Sequence, residues 1–192
     1  GIDLGTTNSA LATIDLSKKV IDARPKIQGF PMPQLVNPGE TAERTLLPSF
    51  LYLPGEHDLP PGATILPWDE DLPYAVGEFA RNQGAKIPGR LVSSAKSWLS
   101  HTGVDRSAPL LPWTAPKEVE RVSPVEASHR YLQHMVDAWN HTKARSEEDR
   151  LENQQIVLTV PASFDDTART LTVEAAKDAG RENLTPLAEP QH

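Results

Sequence analysis

Nine of the chain's 18 prolines lie between Pro31 and Pro73. Each one removes a backbone donor and fixes φ, so no long helix can run through that stretch. The first third of the chain must therefore be built from strands and loops. Its opening agrees. Ile2-Asp3-Leu4 is a short apolar strand carrying one carboxylate, and it breaks at Gly5 into Thr6-Thr7-Asn8-Ser9. Ala10, Leu11, Ala12 and Ile14 then return to a strand pattern. The expected unit is a hairpin, with strands over Ile2–Leu4 and Ser9–Asp15 and a tip built to hold phosphate. Gly5 permits positive φ and close backbone approach. The N–H groups around Thr6, Thr7 and Asn8 can converge on an anion. Asp3, at the strand end, is placed to orient a hydrated Mg²⁺, which favours carboxylate and water oxygens. An ordinary hairpin with a polar tip is the alternative. The loop is neither a Walker A motif, since no G-x-x-x-x-G-K-[ST] is present, nor a G-x-G-x-x-G dinucleotide fingerprint.

Further strands are expected over 19–23, 26–35 and 47–53, followed by a loop-rich segment from 54 to 73. Short helices are predicted over Gly77–Asn82 and over Gly89–Ser100, where Leu91, Val92, Ala95, Trp98 and Leu99 fall at helical spacing. Ser123-Pro124-Val125-Glu126 is a helix start: a Ser N-cap, Pro at the first position, and Glu at the third to close a capping box. That helix is expected to reach Asn140, with a charged loop or frayed end over Thr142–Asn153. A buried strand should follow over Gln155–Val160, ended by Pro161. A helix should then open at Phe164-Asp165-Asp166, pack through Ala168, Leu171, Ala175, Ala176 and Ala179, and close at Gly180. A last strand is read over Leu184–Ala188.

Lys and Arg number 19 against 26 Asp and Glu, a net charge of −7, which argues against the basic footprint of a nucleic-acid binder. There is no cysteine, and so no disulfide or thiolate chemistry. No apolar run reaches the ~20 residues that span a membrane. Histidines around one helix, including His129, His134 and His141, lack a zinc-binding spacing.

Several separated blocks, in order, resemble one family. They are Gly1–Ser9, Leu47-Pro48-Ser49, Ala75-Val76-Gly77-Glu78-Phe79-Ala80, Ala95-Lys96-Ser97-Trp98-Leu99, the run from Val160 to Arg169, Ala175-Ala176-Lys177-Asp178-Ala179-Gly180, and Glu189-Pro190. Together they resemble the N-terminal lobe of an Hsp70-family, DnaK-like ATPase from a divergent bacterial branch. The departures are Ser163, where the family carries an aromatic, and the proline-rich stretches 54–73 and 105–117.

The resemblance implies an α/β fold: an actin-like (ribonuclease H-like) lobe with a mixed sheet and packed helices, plus a smaller inserted α+β subdomain. It implies a core from 1–48 and 118–192, an insertion over 49–117, and a second lobe and a substrate-binding domain that this sequence does not include. It implies ATP or ADP with Mg²⁺ as ligands. Asp3 would act on the metal through water, and Gly5, Thr6, Thr7 and Asn8 would cradle phosphate. Lys96 would lie near the γ-phosphate, and Glu189 near the metal and the attacking water. Pro161 and Arg169 would relay nucleotide state to a substrate domain. The implied parent is a cytoplasmic ATP-hydrolysing chaperone with unfolded polypeptide clients and co-chaperones, and without nucleic-acid or membrane partners. The fragment alone is expected to be inactive. Another actin-like ATPase, of the filament or sugar-kinase type, and a non-catalytic scaffold are the alternatives.

Overall fold

The opening residues fold as their pattern dictates. The computed structural model describes residues 1–16, 26–70, 72–161, 163–179 and 184–188. In it, β1 (Ile2–Asp3) runs antiparallel to β2 (Asn8–Thr13), with Ile2 opposite Leu11 and Asp3 opposite Ala10. The strand expected over 19–23 lies outside the described residues. The one expected over 26–35 is two: β3 (Gln28–Gly29), paired with β2, and β4 (Met32–Asn37), which forms a separate hairpin with β5 (Glu40–Arg44). Gly39 turns that hairpin at φ 68°, a value that favours glycine.

The expected strand over 47–53 is broken at Ser49. Its first part, β6 (Leu47–Pro48), pairs with β2, and its second, β7 (Phe50–Tyr52), enters a different sheet. Ser49 is where the chain crosses between the two. In that second sheet β7 lies between β8 (Ala75–Val76) and β9 (Leu91–Ser93). Helix α1 (Glu78–Gly84) follows β8 as expected.

The helix expected over 89–100 is a correction. Only α2 (Ala95–Leu99) is helical, and Leu91–Ser93 is strand β9. Leu91 and Val92 suit a helical period, but each finds a partner across β7, Tyr52 and Leu51 respectively. Ser94, at φ 56°, breaks the two elements apart.

Helix α3 (Pro124–Thr142) starts as read. Ser123 Oγ accepts from the Glu126 N–H at 3.0 Å, with Pro124 in the first turn. The Glu126 carboxylate does not return the bond but accepts from Arg130 Nε at 2.7 Å, one turn on. The stretch after α3 is ordered by side chains. Asn140 Oδ1 accepts from the Leu151 N–H at 2.8 Å, Trp139 Nε1 donates to the Asp149 carbonyl at 2.9 Å, and two 3₁₀ turns lead into β10 (Ile156–Val160). Helix α4 (Asp166–Asp178) is capped by Asp165, whose carboxylate accepts from the Ala168 N–H at 2.7 Å. Its buried positions are Ala168, Thr172, Ala175 and Ala176. Its expected stop at Gly180 is outside the described residues. β11 (Leu184–Ala188) is the strand expected there.

These elements make a mixed α/β architecture. The main sheet runs β11-β10-β1-β2-β3, with β6 also on β2. β1, β10 and β11 are mutually parallel, and β2 opposes them. Helices α3 and α4 pack together and share one core with the sheet, including Ile2, Leu11, Leu132, Met135, Leu158 and Ala175. That core also takes in Leu51, Val76 and Val92 of the smaller sheet. A second cluster (Leu35, Tyr52, Leu66, Phe79) seats α1 and the proline-rich loop.

One buried polar group makes this packing sensitive to pH. His134 of α3 is 5% exposed, edge-on to Trp68, with Nε2 3.0 Å from the Pro33 carbonyl. Burial pulls its pKa down to about 4 from 6.5, against the opposing pull of the Pro33 carbonyl. The unfolded chain then binds the proton first as pH falls, so stability is full above about 6.5 and drains away down to about 4. The expected loss is on the order of 3 kcal/mol, the cost of that shift. Denaturant titrations across this window should show the decline, and His134→Gln should flatten it. An equal slope in the variant would contradict the assignment.

Candidate functional site

The parallel strands β1 and β10 bring Asp3 opposite Thr159. The Thr159 hydroxyl donates to Asp3 Oδ1 at 3.1 Å, which orients an otherwise exposed carboxylate. Beyond Asp3 the chain turns through Gly5. Its φ is outside the left-handed region expected for it. Glycine is required there for space, because a Cβ would overlap the carbonyl oxygen of Asn8.

Ser49 pins this tip from the other side. Its N–H donates to the Thr7 carbonyl at 2.9 Å and its hydroxyl to the Gly5 carbonyl at 2.8 Å. Ser9 Oγ lies 2.9 Å from Ser49 Oγ. Since the single Ser49 hydroxyl proton goes to Gly5, Ser9 is the donor in that pair. The carbonyls of the tip are thus engaged inward, while Thr6 and Thr7 are exposed. Among the described residues no hydrogen bond uses the N–H of Thr6 or Thr7. A tight loop whose carbonyls are held by Ser49, and whose exposed Thr6 and Thr7 keep N–H groups that enter no hydrogen bond among the described residues, is chemically suited to an anion. An exposed carboxylate at the adjoining strand end suits a hydrated divalent cation. The residues present therefore fit a metal–phosphate ligand.

The position in the sheet is also informative. Asp3, Val160 and Ala188 mark the carboxyl ends of three parallel strands, with Val160 opposite Ala188. Open α/β sheets bind ligands at that edge. Glu189 follows Ala188 in sequence and lies outside the described residues. Lys96 is half-buried on α2. It stands three residues after Ser93, which is opposite Phe50, the neighbour of Ser49. Lys96 is thereby carried on the segment that leaves the smaller sheet beside the loop-pinning serine. Pro161 directly follows β10. Arg169 is exposed on α4 and lines a cleft of about 350 Å³ with Val160, Val173, Glu174 and Pro186.

Helix α2 and the start of α4 are tied together. Leu99, Phe164 and Ala168 form a small buried cluster. Beside it, both terminal nitrogens of Arg106 donate to the two carboxylate oxygens of Asp165, each at 2.8 Å. With the Arg106 guanidinium first and the Ala168 N–H second, these bonds hold the Asp165 pKa down at about 2. Sequence reading missed Thr159, Arg106 and the structural role of Ser49. Ser49 stands in a motif block, but a threonine inside a β-branched run and an arginine 59 residues from its partner carry no local signal.

Among the described residues no helix is long and apolar enough to cross a membrane. No family model matches the chain. It is similar to the chaperone protein HscA of Salmonella agona strain SL483, at 29% identity over 196 aligned positions that cover 99% of this chain and 27% of that protein. The chaperone protein HscA of Salmonella paratyphi C strain RKS4594 matches with the same identity and coverage. The chain thus spans about a quarter of the length of the curated relatives it matches.

Proposed function

We propose that this chain, which is similar to the chaperone protein HscA along 99% of its length, is the first, phosphate-holding lobe of an Hsp70-like, ATP-hydrolysing chaperone with an actin-like ATPase domain. The observation that carries this reading is the hairpin tip. Gly5 lies too close to Asn8 for a side chain, Ser49 holds the tip carbonyls, and the exposed Thr6 and Thr7, whose N–H groups enter no hydrogen bond among the described residues, follow Asp3 closely in the chain. Residues 1–48 and 118–192 form the lobe core on this reading, and 49–117 the insertion, with Ser49 as the crossing point between sheets.

Phosphoryl transfer is mostly positioning and electrostatics, so the roles follow from charge and place. Thr6, Thr7 and Asn8 donate to phosphate oxygens. Asp3 keeps one oxygen on Thr159 and offers the rest of its lone pairs to metal-bound water. Mg²⁺, when bound, neutralises charge on the phosphates. Lys96 provides a cation toward the γ-phosphate, and Glu189 a carboxylate toward the attacking water. Pro161 and Arg169 carry the nucleotide state outward to a domain that binds unfolded polypeptide, with co-chaperones acting on the cycle in the cytoplasm. The similarity to HscA favours this reading over a filament protein or sugar kinase. The test is steady-state ATP hydrolysis by the complete protein, with and without an unfolded peptide.

A further inference from the structure

A continuous path of contacts runs from α2 to α4. The Trp98 ring of α2 stacks on His101 at a centroid distance of 5.4 Å and an interplanar angle of 21°. The His101 N–H donates to the Trp98 carbonyl at 3.1 Å, and the His101 carbonyl accepts from Arg106 Nε at 3.0 Å. The other end of the same guanidinium takes both oxygens of Asp165, which at once caps α4 through Ala168. Arg106 is only 8% exposed, while the Asp165 side chain is 46% exposed. A planar, charged, two-point contact resists both sliding and rotation. Its partner's exposure makes it a modest source of stability. The pair is thus built more for orientation than for holding the fold together.

We propose that Arg106 is a positioning residue of this ATPase: by joining the Trp98–His101 end of α2 to Asp165 at the start of α4, it fixes α2 and so the direction of Lys96. The proposal rests on the ATPase reading above. Lys96 lies two residues before Trp98 on a five-residue helix, so rotation of that helix re-aims the lysine directly. The same clamp ends at Asp165, four residues from Pro161 and three from Ala168, at the segment that follows β10. It is therefore a rigid link between the cation assigned to phosphate and the segment assigned to coupling.

The test uses the complete protein. Arg106→Met should lower kcat for ATP about tenfold while KM for ATP stays within about twofold, as expected when orientation and not binding is lost. Asp165→Asn retains an N-cap acceptor but loses the ion pair, and it should lower kcat in the same way. In a Lys96→Ala background, adding Arg106→Met should change turnover by less than about twofold, because the group it positions is already gone. A merely structural defect would multiply through in either background. Folded Arg106→Met or Asp165→Asn protein with parental kcat would overturn the proposal. So would loss of fold in both variants, which would assign the pair to stability. A parent protein that does not turn over ATP fails earlier, at the proposed function, and takes this inference with it.

Discussion

Gly5→Ala in the complete protein is expected to weaken ATP binding at least about tenfold and to cost about 1–3 kcal/mol of stability, the usual range for forcing extra atoms into a packed site. The new methyl would overlap the Asn8 carbonyl oxygen, a backbone atom that no rotamer change can move away. Nor can the tip simply open. Asn8 is opposite Pro48 in the strand pairing, and Ser49 holds the carbonyls of both Gly5 and Thr7. Relief requires breaking those bonds, which displaces the Thr6 and Thr7 amides. Gly29→Ala is the internal control. A Cβ there meets nothing within 4 Å, so that variant should stay within about 0.5 kcal/mol of the parent and bind ATP normally. Isothermal titration and thermal unfolding of both variants decide the matter. A Gly5→Ala protein with parental affinity would remove the tip from the phosphate site.

Lys96→Ala should lower ATP turnover by roughly 10²–10³, the usual effect of deleting a preorganised group that stabilises transition-state charge. Nucleotide affinity should fall much less, because such a group acts on charge that develops during transfer. Lys96 is half-buried on a five-residue helix that follows directly from β9, so its stem is held by the fold. Single-turnover hydrolysis on pre-bound ATP separates the two effects. Near-parental turnover would sink the role given to Lys96.

How far the sequence revealed this site depends on how local each signal is. The hairpin was legible because glycine, hydroxyl residues and flanking apolar strands are adjacent in the chain. The starts of α3 and α4 were legible because capping is a matter of a few consecutive residues. The helix misread over 89–100 shows the limit. Leu91, Val92, Ala95, Trp98 and Leu99 satisfy a helical period, but pairing of Leu91 and Val92 with β7 outweighs it, and nothing local marks Ser94 for a left-handed φ. At Gly5 the requirement is space and not positive φ, which only the approach of Asn8 reveals. The Arg106–Asp165 pair spans 59 residues and depends wholly on tertiary folding.

Steady-state ATP hydrolysis by the complete protein, with and without an unfolded peptide, tests the central claim most directly. The account predicts Mg²⁺-dependent turnover that rises when the peptide is added. Turnover indifferent to peptide would contradict the chaperone assignment and point to another kind of ATPase. A folded protein that neither binds nor hydrolyses ATP would contradict the phosphate-holding role of the hairpin itself.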